Sequence, residues 1–444
     1  MINVRWIVLL LMLLLCTGAA AEDEFVDEFP AALRFEQDTQ TESISKHVQI
    51  KRVYPDTASD EIDAAMRELI DAMTERNRPL LPTNYLAETA SLEVGAVISR
   101  SGESALSFLT IAEYRYDRDV LSAEFETRVY DALTGKMITM EDIFREDAGA
   151  YDYIASEIRR QLSEAFIGTQ PDEEALSALC DPENIRKASF TLGAAQMTLT
   201  YRADDVYPQT RKASFLHVRL DYPTIREMMT PYGLVQTDNS RYRMVALTYD
   251  DGGARGITRT LLDELRNYGA RATFFVVGKR IASNHDIMVR QQNANHSLQS
   301  HTFTHSYPDE LKDGDAHEEK EKMIREMNEL IGVVPTMMRA PGGRYNHYQR
   351  QQIGYPLMQW SLASWDSGNT HYDKIAQRVI SSVKDGDVVL LHDINEGCPR
   401  YSRDILRSFE ERGIMCVTVE ELFIDAGVAL EAGHVYQNPY RIVE

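Results

Sequence analysis

Cysteine is scarce in this chain of 444 residues, with four in all, at positions 16, 180, 398 and 416. No Cys-x-x-Cys pair occurs, so a thiolate zinc cluster or a thioredoxin-like redox site has no support. Basic residues are also in deficit: 47 Lys and Arg stand against 69 Asp and Glu, a formal net charge of −22. Nucleic acid and anionic membrane surfaces are bound through basic patches, which excludes both as main partners and leaves a neutral or weakly charged ligand easier to reconcile. Long apolar runs are missing too. The longest, WIVLLLMLLLC near the N-terminus, falls short of the roughly 20 residues that span a bilayer. One Arg precedes it, and Ala19 and Ala21 follow as small residues. This predicts a secretory signal peptide over 1–21, cleaved after Ala21, with no membrane helix remaining and a secreted protein. A lipoprotein reading through Cys16 is weakened by Leu15, where a small residue belongs, and an uncleaved anchor stays open. Cleavage would leave Cys180, Cys398 and Cys416, an odd number that completes no disulfide framework, although Cys398 with Cys416 is conceivable as a pair. Fixed-period repeats and low-complexity tracts are absent.

A chain this long exceeds one ordinary core and suggests two domains. An acidic stretch, 22–45, reads as a linker. From 46 to 230 strand-like segments such as ALSFLTIAEYRY mix with helix-like ones such as SDEIDAAMRELIDAM, the pattern of a smaller α+β domain. Residues 231–243, with Gly, Asp, Asn and Ser, read as a second linker. From 244 to 428 strands and helices alternate, which implies a parallel sheet or barrel with helices outside. The tail, 429–444, carries no signal.

The chemistry-bearing residues gather at predicted strand ends in that second half. LTYDDGG places Asp250 and Asp251 where an apolar run stops at two glycines. In α/β proteins this strand edge is where ligand sites are built. SHTFTHS sets His301 and His305 four apart, within reach of one metal. Two imidazoles with one carboxylate form a ligand set for catalytic zinc or a similar ion, with a coordination position left for water. In MRAPGG, Arg339 can orient one carboxylate and keep it ionised. VVLLHD ends a strand on His392, and QWSLASWDSG offers Trp360, Trp365 and Asp366. Singly, each of these also reads as a turn, a core aromatic or a satisfied core histidine.

In this order, TYDDG, HTFTH, RAPGG, the Trp360 to Asp366 segment and LLH closely resemble the motif set of NodB-type polysaccharide deacetylases, the fourth carbohydrate esterase family. The resemblance spans about Arg243 to Phe423 and implies a distorted (β/α) barrel. It implies a divalent metal, zinc first with cobalt or manganese as alternatives, held by Asp251, His301 and His305. It makes Asp250 the general base, steadied by Arg339, and His392, paired with Asp366, the acid that protonates the departing amine. Gly342 would offer a backbone N–H to the oxyanion, while Leu390 and Trp360 match positions that pocket the acetyl methyl. Departures are Tyr249 for a usual Phe, Gly342 for an aromatic, Ser367 for a Trp and Ala363 for an Asp; they bear on groove shape. With lower specificity, DALTGKMITMEDIF and ASFTLGAAQMTLTYRADDVYPQTRKASFLHVRLDY resemble the extracellular domain of lysozyme-sensing anti-sigma factors. Together these imply an exported deacetylase of N-acetylated cell-wall amino sugars, in peptidoglycan above all, with lysozyme binding as a further role of the first domain. The rivals are a deacetylase of chitin oligomers or acetylxylan, and a lysozyme- or glycan-binding protein with a degenerate barrel.

Overall fold

The computed structural model describes residues 25–443 apart from 83–87, 148, 211 and 313, so the expected signal peptide lies outside the described residues. Five strands open the fold: β1 (Phe35–Ser43), β2 (Val48–Thr57), β3 (Ala90–Ser101), β4 (Ala105–Tyr116) and β5 (Asp119–Asp131), paired in that order. All neighbours are antiparallel except β2 and β3. A parallel pair needs a crossover, and α1 (Asp60–Asn77) is part of it. Ser59 caps this helix by accepting from the Ile62 N–H, and Ile62, Met66, Leu69, Ile70 and Met73 form its buried stripe. A second, antiparallel sheet follows, made of β6 (Phe190–Leu192), β7 (Gln196–Arg202) and β8 (Phe215–Asp221). Helix α2 (Ala150–Ser163) shares a core with it through Ile154, Ile158 and Leu162.

The second half is built around β9 (Arg243–Asp251). The strand path β11 (Ser297–Ser300), β10 (Thr273–Val276), β9, β14 (Val388–His392) and β13 (Leu362–Ala363) is parallel throughout, and β15 (Ile414–Val417) pairs with the first part of β9. Single parallel bridges at Met338 carry the path from Ser300 of β11 to Leu357 of β12 (Leu357–Met358). Only Gln359, Trp360 and Ser361 separate β12 from β13 in the chain, which brings the ring of strands round on itself. Helices α3 (Arg255–Asn267), α4 (His285–Asn293), α5 (Asp315–Ile331), α6 (Tyr372–Ser382) and α7 (Cys398–Glu411) alternate with the strands. This is the expected α/β architecture, a distorted barrel preceded by an α+β region.

The two halves share one buried cluster, in which Ala96, Ile98 and Phe108 of the first sheet sit with Met244, Phe275 and Phe423 of the barrel. At the seam, Glu93 on β3 accepts from Arg266 (2.6 Å) and Arg290 (3.1 Å), and Lys51 lies 3.3 Å away. Burial alone would raise the Glu93 pKa, but Arg290, Arg266, Lys51 and Arg115 outweigh it and hold the carboxyl well below its usual range.

Several stretches differ from the sequence expectation. Residues 22–45, read as linker, contain β1, whose polar run EQDTQTES hides the strand because most of its residues face solvent. The stretch 231–243 holds a helix, Pro231–Thr237, started by a Thr230 cap and Pro at its first turn. PLMQWSLA is two short strands instead of one. The tail adds β16 (Val435–Asn438), which pairs with β12, and β17 (Arg441–Ile442). Cys398 and Cys416 are free thiols. Cys398 opens α7 (Cys398–Glu411), whereas Cys416 lies on β15.

Candidate functional site

Strand alternation explains how two adjacent aspartates coexist. Thr248 and Asp250 point into the barrel, where both meet Arg339, while Tyr249 between them points outward, stacked on Phe274 (ring centroids 5.4 Å apart) with its hydroxyl near Ser402 Oγ (3.0 Å). Asp251 escapes the alternation by adopting φ 81°. Arg339 is fully buried, and its guanidinium donates to Thr248 Oγ1 (2.7 Å), Asp250 Oδ1 (2.8 Å) and the carbonyls of Met358 (3.0 Å) and Gln359 (2.7 Å). Burial pushes its pKa down and Asp250 pushes it back up, the former prevailing. The contact fixes Oδ1 of Asp250 and leaves Oδ2 facing His301 Nε2 at 3.8 Å.

Asp251, His301 and His305 form the candidate metal centre, with one donor atom from each lying within 4.8 Å of the others. The donor set fits a divalent ion, as one further observation supports: His301 Nδ1–H donates to the Arg339 carbonyl (2.8 Å), which selects the tautomer that leaves Nε2 as a ligand. Burial lowers the His301 pKa, favouring the neutral imidazole that coordination requires. His305 Nε2 lies 3.3 Å from Asp251 Oδ1. Among the described residues six that are not glycine have positive φ, and Asp251, Thr302 and His305 are three of them. Such strain clusters where a site dictates the backbone.

His392 ends β14 in register with Asp250 on β9. Its Nδ1–H donates to Asp366 Oδ1 (2.8 Å), and its backbone N–H to Oδ2 (2.8 Å). Tyr401 Oη–H (2.7 Å) and Ser364 Oγ–H (2.9 Å) also donate to this carboxylate. Burial favours neutral imidazole, but the Asp366 hydrogen bond and charge, with Asp250 and Asp251 behind them, win and raise the His392 pKa to about 9. For Asp366 burial likewise opposes ionisation, and the His392 and Tyr401 contacts overcome it to lower the pKa.

The remaining expected residues assemble around these groups. Gly342 adopts φ 61° and lies where a Cβ would come 3.1 Å from the Tyr307 ring, beside His305. The Trp360 ring sits against Gly343 and 5.9 Å from the Arg339 guanidinium. Leu390 lies on β14 two residues before His392 and pairs with Thr248. Two residues escaped the sequence reading. Asp393 is fully buried and accepts from the Gly252 N–H (3.0 Å), the Gly253 N–H (3.3 Å) and the Thr258 hydroxyl (2.9 Å), so it clamps the turn after Asp251. Burial raises its pKa to about 6. Its signal was available as the last letter of VVLLHD. Glu319 on α5 accepts from the Phe303 N–H (2.9 Å), the Thr304 N–H (2.8 Å) and the Thr304 hydroxyl (2.9 Å), fixing the loop between the two histidines. Nothing in AHEEKEKMIREMNELIG distinguishes it from the other glutamates there.

Fold and site together define the class of α/β-barrel hydrolases whose groups converge at the strand C-termini. Within that class, the chain belongs to the polysaccharide deacetylase family: residues 237–356 match it, and a peptidoglycan-N-acetylglucosamine deacetylase of Bacillus cereus is 31% identical over 217 residues, 45% of this chain and 97% of that protein. The peptidoglycan-N-acetylglucosamine deacetylase PgdA of Listeria monocytogenes is 29% identical over 194 residues, 44% of this chain, and the match spans only 41% of that protein. The peptidoglycan-N-acetylmuramic acid deacetylase PdaC of Bacillus subtilis is 24% identical over 319 residues. That match covers 66% of this chain and 67% of the relative, more than the barrel makes up, so part of the first domain is matched as well.

Proposed function

We propose that the protein is an exported, metal-dependent N-deacetylase of cell-wall amino sugars, acting on peptidoglycan. The observation that carries this reading is the placement of two groups able to carry protons, Asp250 held by Arg339 and His392 held by Asp366, on neighbouring strands beside the Asp251, His301 and His305 ligand set. The relatives named for peptidoglycan deacetylation support the choice of polymer. A divalent ion, zinc by the character of the donors, would supply Lewis acidity toward the acetamide carbonyl and lower the pKa of a water at the site.

The chain's own groups perform the proton traffic. Asp250 accepts the proton of the attacking water at Oδ2, because Arg339 already occupies Oδ1. His392 carries its mobile proton on Nε2, since Nδ1–H is committed to Asp366. With its pKa near 9, it is charged at neutral pH and delivers that proton to the leaving amine. The Gly342 N–H faces the developing oxyanion, and Trp360 and Leu390 enclose the acetyl methyl. Export by a cleaved signal peptide completes the reading, since a wall polymer lies outside the membrane.

The test is acetate release by metal-loaded protein from purified peptidoglycan, chitin oligomers and acetylxylan, with mass spectrometry locating the freed amine. Acetate from peptidoglycan with a new amine on its sugars is expected. No release from any of the three polymers would overturn the reading.

A further inference from the structure

Two large aromatic side chains stand exposed at the rim of this site with no core to hold them. Trp365 is 66% exposed and directly precedes Asp366, the residue that holds His392. Its backbone adopts φ 60°, a genuine outlier for a bulky side chain. The Arg378 guanidinium lies 3.4 Å from the ring centroid, and Arg378 Nε donates to the Ala363 carbonyl (2.8 Å). One ring face is therefore backed by a cation and the other left open to solvent. On the opposite flank, Tyr307 is 36% exposed, two residues beyond His305, with ring centroids 6.2 Å apart. It has the same construction: the Arg344 guanidinium sits 4.5 Å from its ring and is itself tied to Asp309 (3.0 Å) and Glu310 (2.6 Å).

The two rings leave the barrel at opposite ends of the strand path. Trp365 follows β13 and Tyr307 follows β11, with the paired aspartates of β9 midway between. We infer that Trp365 and Tyr307 are stacking platforms for sugar rings on either side of the residue being deacetylated, so that the protein selects extended glycan chains over short ones. Pyranose rings present C–H faces that pack on aromatic faces, and a guanidinium behind each ring fixes its orientation while enriching the opposite face for such contact. Strain at Trp365 is what a ligand platform tolerates and a mere surface residue has no reason to keep. The inference deepens the proposed function and rests on its assignment of a glycan substrate.

Binding distinguishes the two. Calorimetry on the full chain carrying Asp250→Asn, which leaves ligand intact, compares a disaccharide with a hexasaccharide of N-acetylglucosamine. The hexasaccharide should bind more tightly, and Trp365→Ala and Tyr307→Ala should each weaken it roughly tenfold and flatten the dependence on chain length. Trp365→Phe and Tyr307→Phe should retain most of it, and Arg378→Gln, which leaves Trp365 in place without its backing, should lose part. Unchanged hexasaccharide affinity in both alanine variants, or equal affinity for the two ligands in the parent, would overturn the platforms. Absence of acetate release by the wild-type protein would instead sink the deacetylase reading, with the binding data still deciding the platforms.

Discussion

Replacing Asp366 with Asn keeps the side-chain shape beside His392 and removes its charge. In the native site the His392 pKa rises from the ordinary 6.5 to about 9, against burial, through the Asp366 hydrogen bond and charge, with lesser help from Asp250 and Asp251. A rise of that size corresponds to about 3 kcal/mol favouring imidazolium. The His392 side chain is 22% exposed and its partner 1%, so solvent screens little of it. A bound cation would cancel most of the help from Asp250 and Asp251, leaving Asp366 as the main support. Because the folded pKa is raised, the stabilisation is fully present below pH 6.5 and is lost as pH climbs through about 9. In Asp366→Asn the alkaline limb of kcat/KM should move from near pH 9 toward 6.5 or below, and the rate at pH 8 should fall by roughly ten- to a hundredfold. The melting temperature should lose its excess at pH 6 over pH 10. The assay is acetate release across pH 5 to 10 with thermal melting alongside. An alkaline limb that stays at the wild-type pH would refute the assignment of His392 as the acid held by Asp366.

Arg339→Met should cost about 3 to 5 kcal/mol of stability, because it strands Asp250 in the barrel without its partner; chemical denaturation measures this, and a loss below about 1 kcal/mol would contradict it. Glu319→Gln removes the charge on which the Phe303 and Thr304 N–H groups close, so metal affinity should fall by about ten- to a hundredfold, read by competition with a chromogenic chelator; unaltered affinity would show that the loop holds itself. Export should remove residues 1–21, and N-terminal sequencing of secreted protein should start at Glu22, whereas a chain beginning at Met1 in the membrane fraction would establish an anchor.

The site was more legible in the sequence than the scaffold around it. The Asp250 and Asp251 pair, Arg339 and His392 each terminate an apolar run or punctuate a Gly or Pro turn, and His301 and His305 stand out by their spacing of four; such local signals survive whatever the tertiary structure does. Asp393 lay beside His392 in plain letters, but its role depends on the turn at Gly252 and Gly253, well over a hundred residues earlier. Glu319 is invisible for a related reason, since only packing of α5 beneath the histidine loop selects it from a helix full of glutamates. Strand β1 was missed because an edge strand can be almost wholly polar, leaving no alternation to read. The short β12 and β13 merged in the sequence because both flank a hydrophobic stretch that a turn of Gln359, Trp360 and Ser361 interrupts without Gly or Pro.

The central claim is that Asp251 belongs to the metal centre and Asp250 to proton transfer, although they are neighbours in the chain. Acetate release from peptidoglycan and bound metal, measured on the same preparations of wild type, Asp250→Asn and Asp251→Ala, test it most directly. The account predicts that Asp250→Asn keeps its metal and loses about 10²- to 10⁴-fold in rate, while Asp251→Ala loses metal and activity together. Full metal content and wild-type acetate release in both variants would contradict it.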